Sequence, residues 1–215
     1  MIGRRPSGLR LASVIGLTCW MLNCPAWAEH ESLPPDYPAS LEREVAALQS
    51  QIATRGETVQ RLIAGAGLYL DIADDWFEEG PQKRLAYESA AEMAKRALQL
   101  EERDAQAHFL YAAALGSAER LKGLSNAGLA LGEIKAHVRR AIELDPAHAQ
   151  ALQMMGGLYA ELPWLLGGRE KDAEAYLRRA IAADGRYTNA HLILARLLIK
   201  QGRSEEARVH LDAVL

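Results

Sequence analysis

The amino-acid sequence predicts an all-α protein built from antiparallel helical hairpins. The first observation is composition: 38 of the 215 residues are alanine and only 6% are aromatic, which favours helices over sheets. The second is that the chain after Pro38 contains only three prolines, at 81, 146 and 163, so long stretches can form uninterrupted helices. The third is a short helical pattern that recurs between residues 93 and 185.

Residues 1–28 have the three parts of a secretory signal peptide. The positively charged start carries three arginines, Arg4, Arg5 and Arg10. An uncharged, mostly apolar run follows over residues 11–22, and small residues at 26 and 28 suit a signal peptidase. Because this run is shorter than a comfortable membrane span, we expect cleavage after Ala28, with a retained anchor as the alternative.

Removal of residues 1–28 changes the chemistry available to the rest of the chain. Three arginines and no acidic residue leave, so the formal net charge goes from −3 to −6, which argues against a nucleic-acid binder. Cys19 and Cys24 leave as well, which removes disulfides and thiolate metal sites. We expect a protein of the bacterial periplasm with no membrane span after signal removal, no metal and no cofactor.

The next part of the chain divides at its prolines and at one glycine. Residues 29–40 contain three prolines and no periodicity, which predicts a flexible lead-in. Aliphatic residues then recur at helical spacing over residues 41–62, interrupted by Gly56. This pattern predicts two packed helices or one kinked helix, with a short coiled coil as the alternative. It opens an N-terminal part that spans residues 41–102.

Three segments share one helical pattern: a basic pair or its equivalent, then an alanine, an aliphatic residue and an acidic end. They are residues 93–102, 137–146 and 176–185. A small or aliphatic residue precedes each alanine by seven positions. The aligned residues are Ala90 and Ala97, Ile134 and Ala141, Ala173 and Ala180, and, in a fourth and shorter copy, Ala207 and Val214. Self-similarity at such intervals is typical of stacked helical hairpins.

The spacing, the small residues and the acid–proline end at Asp145-Pro146 resemble the tetratricopeptide repeat, a helix–turn–helix unit of about 34 residues. Residues 103–215 match its pattern well, and residues 57–102 match it loosely as a divergent first repeat. The resemblance implies a solenoid of about four helical hairpins. Two copies carry insertions between their helices, at residues 119–133 and 162–168.

These two insertions restrict the resemblance to one group of tetratricopeptide-repeat proteins. A Gly- and Asn-rich insertion before an Ile-Lys pair, and a Leu-Gly-Gly turn, are similar to a divergent tetratricopeptide group. That group includes the periplasmic T component of TRAP-type solute transporters and the regulator-of-microtubule-dynamics proteins. The resemblance implies a non-enzymatic adaptor for a protein or peptide partner, or for further copies of itself. The alternative is an accessory subunit of a solute-uptake system.

Patterns that would carry catalysis or metal binding are missing from the sequence. It has no phosphate-binding loop, dinucleotide fingerprint, nucleophile elbow or HExxH motif. The six histidines lack the spacing of a helical metal site, and His108 and His191 occupy equivalent packing positions. We therefore expect structural histidines and no enzyme.

An acidic cluster surrounds Trp76 and Phe77. Its members are Asp71, Asp74, Asp75, Glu78 and Glu79. Paired carboxylates suit acid–base catalysis or calcium binding, but the ligand pattern of an EF-hand is missing. We predict a solvated helix end with Trp76 as an edge for protein docking.

The insertion over residues 162–168 is apolar, although turns normally face water. One interpretation is that it folds back and caps the core. The other is that it forms a contact surface for a partner or a second copy of the chain. In that case Trp164, Leu165 and Leu166 are protein-binding residues, since Trp is a common interface anchor.

The tetratricopeptide register places a further candidate surface on the first helices of the repeats. Asn189, Arg196 and Lys200 fall on one face there. They would hold a carboxylate or backbone carbonyls of a peptide, or equally form the solvated end of the array. The other residues that this register assigns to a groove are Gln106, Phe109, Ala113, Gln150, Gln153, Gly157 and Leu192.

Overall fold

The computed structural model describes Tyr37 and residues 39–78 and 80–214. The predicted signal peptide and most of the predicted lead-in lie outside these residues. The described part contains nine α-helices and no strand. The helices are α1 (Ala39–Arg55), α2 (Val59–Asp71), α3 (Pro81–Leu100), α4 (Ala105–Lys122), α5 (Leu124–Leu144), α6 (Ala149–Glu161), α7 (Glu170–Ala183), α8 (Thr188–Lys200) and α9 (Ser204–Asp212).

Eight of these helices pair into four antiparallel hairpins: α2 with α3, α4 with α5, α6 with α7, and α8 with α9. Helix α1 packs on α2. The predicted all-α architecture of about four helical hairpins is therefore confirmed. Among the described helices, none is both long enough and apolar enough to cross a membrane.

Small residues let the two helices of each hairpin approach closely. The repeated alanines Ala97, Ala141 and Ala180 are completely buried, as the repeat pattern predicts. At Gly156 on α6, an added Cβ would lie 2.7 Å from the side chain of Leu177 on α7. A glycine there is thus a packing requirement, because the Leu177 side chain and the Ala173 carbonyl of α7 leave no room for a methyl group.

The N-terminal part contains two separate helices rather than one long one. Gly56 ends α1 with φ at 76°, a left-handed conformation that glycine adopts readily. The Thr58 side chain then accepts the backbone N–H of Arg61 at 3.3 Å and caps the start of α2.

The first insertion, residues 119–133, was predicted to lie between the two helices of its repeat. The structure corrects this prediction, because the insertion is itself helical. Helix α4 runs to Lys122 and α5 begins at Leu124, so that Gly123 alone separates them. Because most of residues 119–133 favour helix, the extra residues lengthen α4 and α5. The ends of these two helices therefore project beyond the shorter helices α6 and α7.

Candidate functional site

A cavity of about 450 Å³ opens between the end of α4, the start of α5 and the end of α6. We call it the α4–α6 groove. Its walls are mainly apolar and include Ala127, Gly128 and Leu131 of α5, Met154 and Leu158 of α6, and Pro163. A groove of this size and character suits an apolar side chain cluster or a small apolar molecule.

Small residues keep the α4–α6 groove open. An added Cβ at Gly128 would meet no atom within 4 Å, and at Gly116 it would meet only the Ile134 side chain at 3.5 Å. The space next to these glycines is therefore not filled by the protein's own side chains.

Two charged residues, Arg120 and Glu161, stand among the apolar lining residues. The carboxylate of Glu161 interacts electrostatically with both Arg120 and Arg196. The groove thus carries one positive and one negative group, and the predicted site residue Arg196 belongs to the same charged neighbourhood.

The insertion after α6 forms a compact turn beside the groove. Residues Trp164–Leu166 make one 3-10 turn. It is closed by the Gly167 N–H, which donates to the Trp164 carbonyl, and by the Gly168 N–H, which donates to the Pro163 carbonyl, each at 3.0 Å. A Cβ on Gly168 would lie 1.7 Å from the backbone oxygen of Leu162, so the tight return of the chain requires a glycine.

The turn presents its apolar side chains to solvent. Trp164 is 82% exposed and Leu165 is 73% exposed, so the interpretation as a core cap is wrong for these two residues. Leu166 ends the turn, but its side chain lies outside the described part. Leu129, on the helix that forms one wall of the groove, is 85% exposed. Leu129 is not among the residues that line the groove, so the exposed apolar side chains next to it are Trp164 and Leu165 of the turn.

The residues predicted on α8 do not form one open strip. Asn189 is almost completely buried, whereas Arg196 and Lys200 are exposed. The Lys200 ammonium pairs with the Glu170 carboxylate of α7 at 2.7 Å. Asn189 therefore does not line an open surface, and the binding role of Arg196 and Lys200 stays a prediction.

Most of the other residues assigned to a first-helix groove are buried as well. Buried members of that set are Phe109, Ala113, Gln150, Gln153 and Gly157. The reason is that first helices of adjacent hairpins contact each other, α2 with α4 and α6 with α8. Two members of that set, Gln106 and Gln150, line a second and more polar cavity of about 450 Å³ at the starts of α4 and α6, whereas only Ala113 reaches the α4–α6 groove.

The acidic cluster at the end of α2 is less solvated than predicted. Helix α2 continues as a π-helical turn, Ile72–Trp76. Asp71 and Asp74 are partly buried there, and the Tyr87 hydroxyl donates to Asp74. Burial, with the charges of Asp74 and Glu44, raises the pKa of Asp71 to about 6. Trp76 is 38% exposed, and its docking role stays a prediction.

Residues that sequence reasoning missed are the lining of the α4–α6 groove, above all Gly128, Leu131 and Glu161. The available signal was the row of small residues in the first insertion, which leaves a shallow helix face. Across the described ranges, no group of three or more His, Cys, Asp or Glu side chains is placed to hold a metal ion.

Comparisons with known structures support the fold. A thermophilic tetratricopeptide-repeat protein of Thermus thermophilus superposes with a TM-score of 0.65 at 18% identity, and 82% of each chain is covered. MamA from Desulfovibrio magneticus, residues 41 to the end, superposes with a TM-score of 0.54 at 15% identity, over 81% of this chain and 84% of that one. At these identities the likeness concerns architecture alone.

Comparisons of sequence identify the family. Regulator of microtubule dynamics protein 1 of Bos taurus is 32% identical over 131 residues, which are 54% of this chain and 41% of that protein. The match thus spans less than half of the relative's length. A tetratricopeptide-repeat family model matches residues 165–215. The model of regulator of microtubule dynamics proteins 1–3 matches residues 41–165, more than half of the chain, and the chain therefore belongs to that family, within the tetratricopeptide-repeat superfamily.

Proposed function

We propose that this protein is an exported, non-enzymatic adaptor that binds a protein partner through the α4–α6 groove and the turn Trp164–Leu166. The observation that carries the proposal is an open apolar groove with Trp164 and Leu165 exposed in the turn that follows its lining residue Pro163. Exposed apolar patches of this kind mark sites where another molecule binds. The tetratricopeptide fold supports a role as a scaffold for protein–protein interaction.

The groove suits an amphipathic helix as its occupant. Its floor is apolar, while Arg120 and Glu161 offer one charge of each sign. A helix lays its apolar face into such a groove and keeps its polar face in water. The partner helix should therefore place an acidic side chain opposite Arg120 and a basic one opposite Glu161.

Photocrosslinking tests this proposal. A photoreactive amino acid in place of Trp164 should capture a partner, whereas the same amino acid at Ala182, an exposed position on α7, should not. The captured protein is then purified for binding measurements. We expect Trp164→Ala to weaken its affinity by about 2 kcal/mol, as the loss of an interface anchor does.

A pair of glycine substitutions separates the groove from the turn. Both glycines are exposed and an added Cβ meets nothing at either, but Gly128 lines the groove and Gly132, one turn later on α5, does not. Gly128→Leu should therefore fill the groove, and Gly132→Leu is the control. Both substitutions raise helix propensity equally, so they are matched in their effect on the fold. Normal binding by Trp164→Ala and Gly128→Leu together would show that the partner binds elsewhere, with Trp76 as the next candidate.

The second candidate function is an accessory subunit of a solute-uptake system, and the apolar lining of the groove favours it. In that case the groove would hold a small apolar ligand. A fluorescent apolar probe such as anilinonaphthalene sulfonate should then bind the parent and Gly132→Leu but not Gly128→Leu. Because a small ligand does not need the exposed turn, Trp164→Ala should leave probe binding unchanged, which distinguishes this function from the adaptor.

We further propose that the protein is exported to the periplasm and cleaved after Ala28. The support is the charged start, the apolar run and the small residues at 26 and 28. N-terminal sequencing of the exported protein should begin at Glu29. A sequence that begins at Met1 would contradict cleavage. The name of the Bos taurus relative concerns microtubules, but less than half of that protein is matched by this chain.

A further inference from the structure

Two pairs of histidines join the helices of two different hairpins in the same way. Nδ1 of His108 on α4 lies 2.8 Å from Nδ1 of His137 on α5. Nδ1 of His191 on α8 lies 3.1 Å from Nδ1 of His210 on α9. The two pairs occupy equivalent positions of their repeats, so the arrangement arises twice in one chain.

The backbone fixes which nitrogen of each first-helix histidine carries hydrogen. Nε2 of His108 lies 2.8 Å from the carbonyl oxygen of Glu102, and Nε2 of His191 lies 3.1 Å from that of Gly185. A carbonyl can only accept, so each of these Nε2 atoms is a donor, and Nδ1 of the neutral ring is an acceptor. The partner histidine on the second helix must therefore donate from its own Nδ1.

This arrangement limits how many protons each pair can hold. A proton added to Nδ1 of His108 or His191 would set two N–H groups against each other and break the contact. A proton added to Nε2 of the partner keeps the contact but places a positive charge between packed helices. The unfolded chain has neither restriction, since its histidines titrate freely at about pH 6.5.

The groups around the first pair favour its neutral form. Burial and the charge of His108 lower the pKa of His137, while Glu133 on the same helix acts in the opposite direction. Glu133 also accepts the Tyr111 hydroxyl of α4 at 2.7 Å. The Glu102 carboxylate lies 3.9 Å from Nε2 of His108, and Arg140 of α5 pairs with that carboxylate.

The second pair has similar surroundings. Burial, the charge of His191 and Arg178 of α7 lower the pKa of His210, and Glu206 of α9 opposes them. Glu206 is itself paired with Arg203 at 2.6 Å and with Arg178 at 3.6 Å, so its negative charge is largely compensated.

We propose that the two histidine pairs are proton-sensitive contacts that hold α4 on α5 and α8 on α9 at neutral pH and weaken both hairpins in acid. The sign follows from linkage. A base whose pKa is lower in the folded state stabilises the fold fully above its unfolded pKa. That stability is lost as pH falls through the folded pKa.

The titration of Asp71 opposes the loss of stability that acid causes at the histidine pairs. Its raised pKa of about 6 makes the folded state bind a proton where the unfolded chain does not, so acidification stabilises the fold at that site. A test of the histidine pairs must therefore compare variants that keep Asp71.

The third repeat supplies the matched control. Its equivalent positions carry Leu152 and Tyr176, which pack in one apolar cluster. We therefore replace both pairs by this natural combination: His108→Leu with His137→Tyr, and His191→Leu with His210→Tyr. The melting temperature of the parent should fall by several degrees between about pH 8 and about pH 5.5, and that of the exchanged protein by much less. An equal fall in both would overturn the proposal.

A second measurement needs no variant. Long-range ¹H–¹⁵N NMR at about pH 8 reports which ring nitrogen of each histidine carries hydrogen. His137 and His210 should be Nδ1–H tautomers, and His108 and His191 Nε2–H tautomers. Nε2–H tautomers at all four rings would overturn the proposal even where the exchanged protein fails to fold.

Discussion

At the scale of single residues, the repeated alanines carry the packing of the hairpins. Ala141 and Ala180 are completely buried, whereas Ala182 is exposed on α7. Ala141→Leu and Ala180→Leu should each lower the free energy of unfolding by about 1–3 kcal/mol, because the larger side chain overpacks a helix contact. Ala182→Leu is the control and should have little effect. Urea denaturation followed by circular dichroism measures all three, and equal tolerance would contradict the repeat register.

The same register shows what could be predicted about residues and what could not. Burial of Ala90, Ile134 and Ala173 follows from spacing alone, since positions seven apart share one helix face. The equivalence of His108 and His191 follows in the same way. Their contacts with histidines of the next helix do not, because a contact across a hairpin depends on how two helices are rotated and how long each one is.

At the scale of elements, helix ends were predictable where local chemistry sets them. Gly56 separates α1 from α2, and α5 ends at Leu144, just before Asp145-Pro146. The start of α6 was less predictable, because its cap is His148, whose Nδ1 accepts the N–H of Ala151 at 3.3 Å. Caps made by side chains other than Ser, Thr, Asp or Asn leave a weak trace in sequence.

The two insertions show where prediction of helices and turns from the sequence fails. Both interrupt the repeat pattern, yet one lengthens two helices and the other forms the turn Trp164–Leu166. The apolar character of the turn was compatible with both a core cap and an exposed surface. Packing decided between them: the Gly168 return fixes the turn outside the helices, with Trp164 and Leu165 facing solvent. The α4–α6 groove arises from the same packing of helices, and it therefore could not be predicted from the sequence.

At the scale of the whole molecule, the buried residues form separate clusters along the array. Leu70 belongs to the large cluster of α1–α6, and Leu194 belongs to a smaller one of α7–α9. Both side chains are completely buried. In a repeat array each hairpin contacts mainly its neighbours, so stability is a sum of local terms. A defect at one end should therefore spread only as far as the adjacent hairpin.

Hydrogen exchange tests this locality. Leu194→Ala should cost about 2–5 kcal/mol, as a cavity in a packed core does. Its faster exchange should be confined to α6, α7, α8 and α9, with the amides of α2 and α3 as protected as in the parent. Leu70→Ala should show the reverse distribution at a similar cost. Each variant is the other's control, because both remove the same atoms from a completely buried site. A uniform rise in exchange from α1 to α9 in both variants would mean that the helices unfold as one cooperative unit. In that case the two histidine pairs would act on the stability of the whole array rather than on their own hairpins.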